Sequence, residues 1–196
     1  MTRKKLFFVL LIIILITTYL LILPTTEKIE YWHGSNDIRH ITHYLKWTPV
    51  KHGKKIIFDI NSKKDTAAIL NYRFGRLDGV QKEFYQSSNK LFRVDSIKGD
   101  TKITVEYHKN GNLKSYYITV NNKLHNIYEL RDSLNNKLNI GDFANGNGKV
   151  YVYFEDGKIQ YYGNYKNGKP SGKWISISNT GYKKTLKNPE NYYFYP

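Results

Sequence analysis

An all-β fold is predicted: an elongated antiparallel sheet of stacked β-hairpins, preceded by an N-terminal transmembrane helix and a short helical lead-in. Three observations predict it. Residues Leu6–Leu23 form one uncharged apolar run. From Gly53 onward, short alternating segments are separated by Asn-Gly, Asp-Gly and Asn-Asn pairs. Such pairs supply the positive φ angles that two-residue hairpins need. The glycine-marked turns also recur at a period of about 20–26 residues, the mark of a stacked array.

Residues 1–24 read as an uncleaved signal-anchor. The 18 residues Leu6–Leu23 would span about 27 Å as a helix, close to the hydrocarbon thickness of a bilayer. No alanine precedes Ala67 and Pro24 follows the run, so no small-residue cleavage site is present. Arg3, Lys4 and Lys5 keep the N-terminus in the cytoplasm by the positive-inside rule. The expected location is a single-pass membrane protein of the bacterial envelope, with an extracytoplasmic body.

Residues 25–52 form the lead-in. Ser35 or Asn36 would cap a short helix with Ile38, Ile41 and Leu45 on one face, ended by Pro49. His40 and His43 would then line one side, with His33 and His52 nearby; no carboxylate stands at ligand spacing, so no metal site is read there.

Residues 53–187 form the repeat region. The expected strands are Lys55–Ile60, Ala68–Tyr72, Gln81–Tyr85, Lys102–Tyr107, Leu113–Val120, Lys149–Phe154, Lys158–Tyr165 and Trp174–Ile177. "NYRFGRLDG" (Asn71–Gly79) and "NYKNGKPSG" (Asn164–Gly172) agree in Asn, Tyr, a basic residue, Gly, a second basic residue and a final Gly. "VEYHKNGNLKS" (Val105–Ser115) matches "VYFEDGKIQYY" (Val152–Tyr162), each with a Tyr four residues before its Gly. A degenerate unit lies between them at Leu134–Leu138. The aromatic tail Asn188–Pro196 is expected to cap the last hairpin.

These segments resemble the MORN-type repeat, and more closely its bacterial variant in the YwqK family of toxin–antitoxin antitoxins. Gly163, Tyr165, Gly168, Lys169, Gly172, Trp174 and Gly181 carry the resemblance, which is strong over Gly146–Lys184. Asn71, Tyr72, Gly75, Arg76 and Gly79 form a second copy, in which Gln81 stands where Trp174 does. The resemblance implies stacked hairpins in one elongated sheet, and a scaffolding or partner-binding role. The residues marking the repeat, and its candidate binding face, are Tyr72, Gly75, Gly79, Tyr107, Gly111, Tyr153, Gly157, Tyr165, Gly168, Gly172, Trp174 and Gly181.

Composition narrows the function. Lys and Arg number 31 against 16 Asp and Glu, a formal charge of +15. The charge is spread, with no block of five or six basic residues, which marks a solvated face first; it also favours anionic partners, with anionic lipid or an envelope polymer expected ahead of nucleic acid. The absence of cysteine excludes disulfides and thiolate chemistry. No GxSxG, Walker A or SxxK motif occurs, and no acid pair is placed for glycan hydrolysis. The sequence reads as a non-enzymatic, cofactor-free binding module. Its expected partner is a protein, with a toxin as one version, and the open sheet edges also allow a homo-oligomer.

Overall fold

In the computed structural model, residues 3–21, 24–187 and 189 are described. One helix, α1 (Arg3–Leu21), precedes fourteen strands. The first nine along the chain are β1 (Thr25–Tyr31), β2 (Ile38–Leu45), β3 (Lys51–Phe58), β4 (Thr66–Arg73), β5 (Arg76–Leu77), β6 (Gly79–Phe84), β7 (Leu91–Lys98), β8 (Thr101–Tyr107) and β9 (Leu113–Val120). The remainder are β10 (Lys123–Leu130), β11 (Gly148–Tyr153), β12 (Ile159–Lys166), β13 (Lys169–Ile177) and β14 (Lys183–Leu186).

The hairpin expectation holds: all pairing between strands is antiparallel between neighbours in the chain. One sheet runs β1-β2-β3-β4-β6-β7-β8-β9-β10, with β5 beside β4; the second runs β11-β12-β13-β14. The expected single sheet is thus divided, because residues 131–147 keep only the isolated bridges Arg131–Lys137 and Ala144–Asn147.

The turns show the repeat directly. At one end of the strands, the N–H groups of His108, Asp132, Phe154 and Ser178 donate to the carbonyls of Asn112, Asn136, Lys158 and Tyr182. In each of these turns the fourth residue is left-handed: Gly111, Asn135, Gly157 and Gly181. Their first residues are 24, 22 and 24 apart (132 − 108, 154 − 132, 178 − 154). The degenerate unit is therefore one register of the same array, with Asn135 replacing glycine because Asn tolerates the left-handed region. At the other end, Phe74-Gly75, Asn121-Asn122, Asn145-Gly146 and Asn167-Gly168 each have two successive positive φ angles.

Neighbouring turns are stitched together. The Ser87 N–H donates to the Asp59 carboxylate at 3.1 Å and the Tyr85 hydroxyl to the Tyr107 carbonyl at 2.7 Å. Asn110 and Asn112 amides donate to the Ser133 carbonyl, and the Ser133 N–H to the Glu155 carbonyl at 2.9 Å. At the far end, the Gly168 N–H donates to Gly146 O and the Gly146 N–H to His125 O, both at 2.8 Å.

The buried apolar core sits where the two sheets meet. It comprises Tyr117, Leu124, Ile127, Leu130, Phe143, Val150, Tyr165 and Trp174. Further back, the inward row is polar: Gln81 stands opposite Asp95, Asp95 opposite Thr104, and Thr104 opposite Tyr117. Arg93 bridges Glu83 and Asp95, and Thr104 Oγ1 donates to Asp95 at 2.7 Å. Each charge there is paired, which a buried charge requires.

Two expectations at the N-terminus are corrected. Among the described residues, no helix is long and apolar enough to cross a membrane. The helix α1 has 19 residues, of which three are Arg3, Lys4 and Lys5. The remaining 19 − 3 = 16 extend about 24 Å, short of the ~30 Å hydrocarbon layer. This overturns the transmembrane reading of Leu6–Leu23, with its single-pass membrane location and extracytoplasmic body; residues 22 and 23 lie outside the described residues. The lead-in is not helical either. It forms β1 and β2, with Ile29 opposite Ile41 and Ile41 opposite Ile56. Ser35 caps a turn, its hydroxyl accepting the Asp37 N–H at 3.0 Å. The tail at 188–196 lies outside the described residues except Pro189.

Candidate functional site

The repeat builds a cleft of about 290 Å³ at the junction of the two sheets. Its walls come from equivalent positions in three hairpins, with the Asp132 turn skipped. Tyr85, His108 and Phe154 are the first residues of three turns, and all three line it. The second set comes from β-bulges. Register shifts in β6–β7, β8–β9 and β11–β12 leave Phe92, Lys114 and Gln160 as the extra residues, and all three face the cleft. A bulge re-aims the side chain of its extra residue, which is why bulges gather at functional sites. Leu130, Leu138 and Val152 supply the apolar floor.

The polar groups of this cleft are specific in character. His108 is 3% exposed and its Nε2 lies 2.9 Å from the Arg131 carbonyl. A carbonyl only accepts, so Nε2 carries the proton. Nδ1 is itself buried and has no hydrogen-bonding partner among the described residues. The Tyr85 hydroxyl spends its proton on Tyr107 O, and Tyr153 spends its own on Asn139 O at 2.7 Å, so both oxygens remain acceptors. Burial holds the Tyr85 phenol above its ordinary pKa, with Glu155 and Glu106 adding to the shift. Burial likewise raises the Tyr153 phenol. Lys114 is paired with the buried Glu106 at 3.1 Å, and Arg131 with Glu129.

A second feature lies on β11 and β12. Tyr151 stands directly opposite Tyr162, with ring centroids 6.1 Å apart. Lys149 Nζ lies 5.0 Å and 5.1 Å from the two ring centres. Its bond to the Tyr151 hydroxyl holds the ammonium above its ordinary pKa. The result is a preformed cation–π ladder.

Of the residues singled out in the sequence, Tyr153 lines the cleft. Tyr107 touches it indirectly, through the carbonyl that holds Tyr85. Gly111, Gly157 and Gly181 form the five-residue turns, and Gly75 and Gly168 the two-residue ones. Gly79 opens β6 and Gly172 lies within β13 at its register shift against β12, both left-handed with open space at Cβ. Tyr72 lies in β4 under Lys51 Nζ at 5.2 Å. Tyr165 and Trp174 meet edge-to-face at 5.6 Å and are buried in the core, so neither belongs to an exposed binding face. His40 and His43 sit on a strand and pair with Glu30 and Glu27 at 3.0 and 3.5 Å. Among the described residues no group of three metal-ligating side chains occurs.

Sequence reasoning missed Tyr85, Phe92, His108, Lys114 and Gln160. The usable signal was positional. Lys114 and Gln160 each stand six residues after the first residue of a turn, and Phe92 seven residues after Tyr85.

No family model matches the chain. No curated protein matches it either. Among solved structures, it is similar to a crystal structure of a S. aureus TarM mutant in complex with Fondaparinux, alpha-GlcNAc-glycerol and UDP, and to a crystal structure of TarM. Each match has 18% identity, a TM-score of 0.28 and 63% coverage of this chain. This chain spans only 22% and 21% of those two proteins. A likeness at that score bears on neither fold nor function.

Proposed function

We propose that this chain is a non-enzymatic, MORN-like hairpin-repeat protein that binds a protein partner. The Lys149–Tyr151–Tyr162 ladder carries the reading. It presents two tyrosine rings already fixed by each other and by Lys149, and tyrosine is among the side chains that dominate protein interfaces. Ordering cost is low because the rings are held before a partner arrives. An antitoxin or immunity role is one form of this reading, suggested only by the resemblance of the repeat.

The test is affinity capture of the tagged full-length chain from its native cells, with cross-linking and mass spectrometry. A stoichiometric protein partner is expected, lost from the double variant Tyr151→Ala, Tyr162→Ala while its unfolding midpoint stays within a few degrees of the parent. No dominant protein, or only an anionic polymer released by salt, would replace this reading with that of a basic scaffold.

A further inference from the structure

We propose that the cleft at the sheet junction is a binding site for a neutral, polyhydroxylated ring, the chemistry of a sugar unit. This goes beyond partner binding and uses different residues from the ladder.

The volume is the first argument. About 290 Å³ sits at the lower end of the ~300–1,000 Å³ range of small-molecule sites, which suits a ligand of about one ring. The walls are the second. Tyr85 and Phe92 meet edge-to-face at 5.2 Å on one side, and Tyr153 and Phe154 stand on the other. Such faces pack against the C–H surface of a saturated ring.

The polar inventory is the third argument and selects among ligands. Three acceptors border the cleft: the Tyr85 and Tyr153 oxygens and the Glu155 carboxylate. Donors are also present, in the Gln160 amide and the remaining protons of Lys114 Nζ. A hydroxyl both donates and accepts, so several hydroxyls on one ring answer this mixture. A purely apolar ligand or a single phenol would cover most of these groups without pairing them, which is costly. Charge argues the same way. Lys114 and Arg131 already hold Glu106 and Glu129, so neither is a free cation waiting for an anion.

Placement is the fourth argument. Phe92, Lys114 and Gln160 each reach the cleft through a β-bulge, in three separate hairpins. A regular ladder would have no extra residue to aim there.

The experiment is ligand-observed saturation-transfer NMR with the full-length chain. The probes are glucose, galactose, N-acetylglucosamine, inorganic phosphate and N-acetyl-tyrosinamide, each at millimolar concentration. At least one neutral sugar is expected to bind. In Gln160→Ala, Glu155→Ala its affinity is expected to fall about tenfold, some 1.4 kcal/mol. Neither side chain has a hydrogen-bonding partner among the described residues, so the variant keeps the fold; the dispersion of its amide spectrum checks that. Tyr153→Phe, which keeps the ring and removes the acceptor oxygen, is expected to weaken the same sugar. Failure of all three sugars, sugar binding unchanged in both variants, or binding of N-acetyl-tyrosinamide or phosphate alone would each overturn the proposal. Partner capture through the ladder does not depend on any of these outcomes.

Discussion

The two best-matched copies of the repeat fold alike and are held differently. Asn71–Gly79 and Asn164–Gly172 each make a two-residue turn with both φ angles positive, at Phe74-Gly75 and Asn167-Gly168. Ten residues after the first Asn, one copy has Gln81 and the other Trp174. Both donate to the carbonyl of that Asn, at 3.3 Å from the Gln81 amide and 3.1 Å from the Trp174 indole. Gln81 also takes the Asn71 N–H at 2.6 Å and donates to Asp78 O and Gly79 O. It replaces an aromatic plug with hydrogen bonds. Trp174 lies over Gly163, where an added Cβ would stand 2.3 Å from the indole. The comparison teaches that the repeat conserves a backbone contact while its packing changes from polar to apolar along the array.

The largest expected effect follows from that change. Trp174→Ala, at a fully buried ring, should cost about 3–5 kcal/mol. Gln81→Ala should cost about 1–3 kcal/mol, the range for buried groups left unpaired. Denaturant unfolding measures both, and equal losses would break the distinction. Next come the turn glycines. In Gly168→Ala the new Cβ meets Lys123 Cβ at 2.6 Å and Leu124 O at 2.7 Å. Overpacking of about 1–3 kcal/mol then adds to about 1–2 kcal/mol for a left-handed backbone. Gly75→Ala meets only Val50 Cγ1, at 3.8 Å, and should show the backbone cost alone, about 1–2 kcal/mol. If Gly75→Ala proves as damaging as Gly168→Ala, the tight seating of the second turn is not what separates them.

The smallest effect distinguishes the turns that precede the two copies. The Asp59 carboxyl is held below its ordinary value by the N–H groups of Ser62 and Ser87. The Asp156 carboxyl is lowered chiefly by the Lys158 side chain. A depressed carboxyl binds its proton more weakly when folded. Its stabilisation is present above the unfolded value, near 4, and is lost as pH falls through the lower folded value. Acid titrations should show a shallower loss in both Asp59→Asn and Asp156→Asn than in the parent. The Asp156 contribution should shrink in 0.5 M salt, because its partner is exposed; the Asp59 contribution should persist.

The turns were legible in the sequence because a left-handed residue almost requires Gly or Asn. The strands between them were legible only where burial is apolar. β7, "LFRVDSIK", was missed because its buried residue is Asp95, satisfied by Thr104 on the neighbouring strand and by Arg93 on its own. β10, "KLHNIYEL", was missed because two register shifts break its alternation. In the lead-in, Ile38, Ile41 and Leu45 mimic helical spacing, yet pairing with Ile29 and Ile56 decides the matter, and that pairing is not local. The cleft was hidden for a related reason. Phe92, Lys114 and Gln160 look like ordinary strand residues until the bulges turn them to one place.

The order of strands in the large sheet has a kinetic consequence. Apart from the two-residue β5, which pairs with β4 alone, each strand bonds to those next to it in the chain, from β1 through to β10. No strand pairing in this sheet waits on the closure of a long loop, so the entropic barrier that slows most β proteins is small for it. The chain should assemble from any hairpin outward, and should do so as successive segments become available at one end. Stopped-flow refolding would show a rate closer to that of mixed α/β domains than of β-sandwiches. Under tension the same order becomes a weakness, since the strands can be peeled away singly, like pages from a pad.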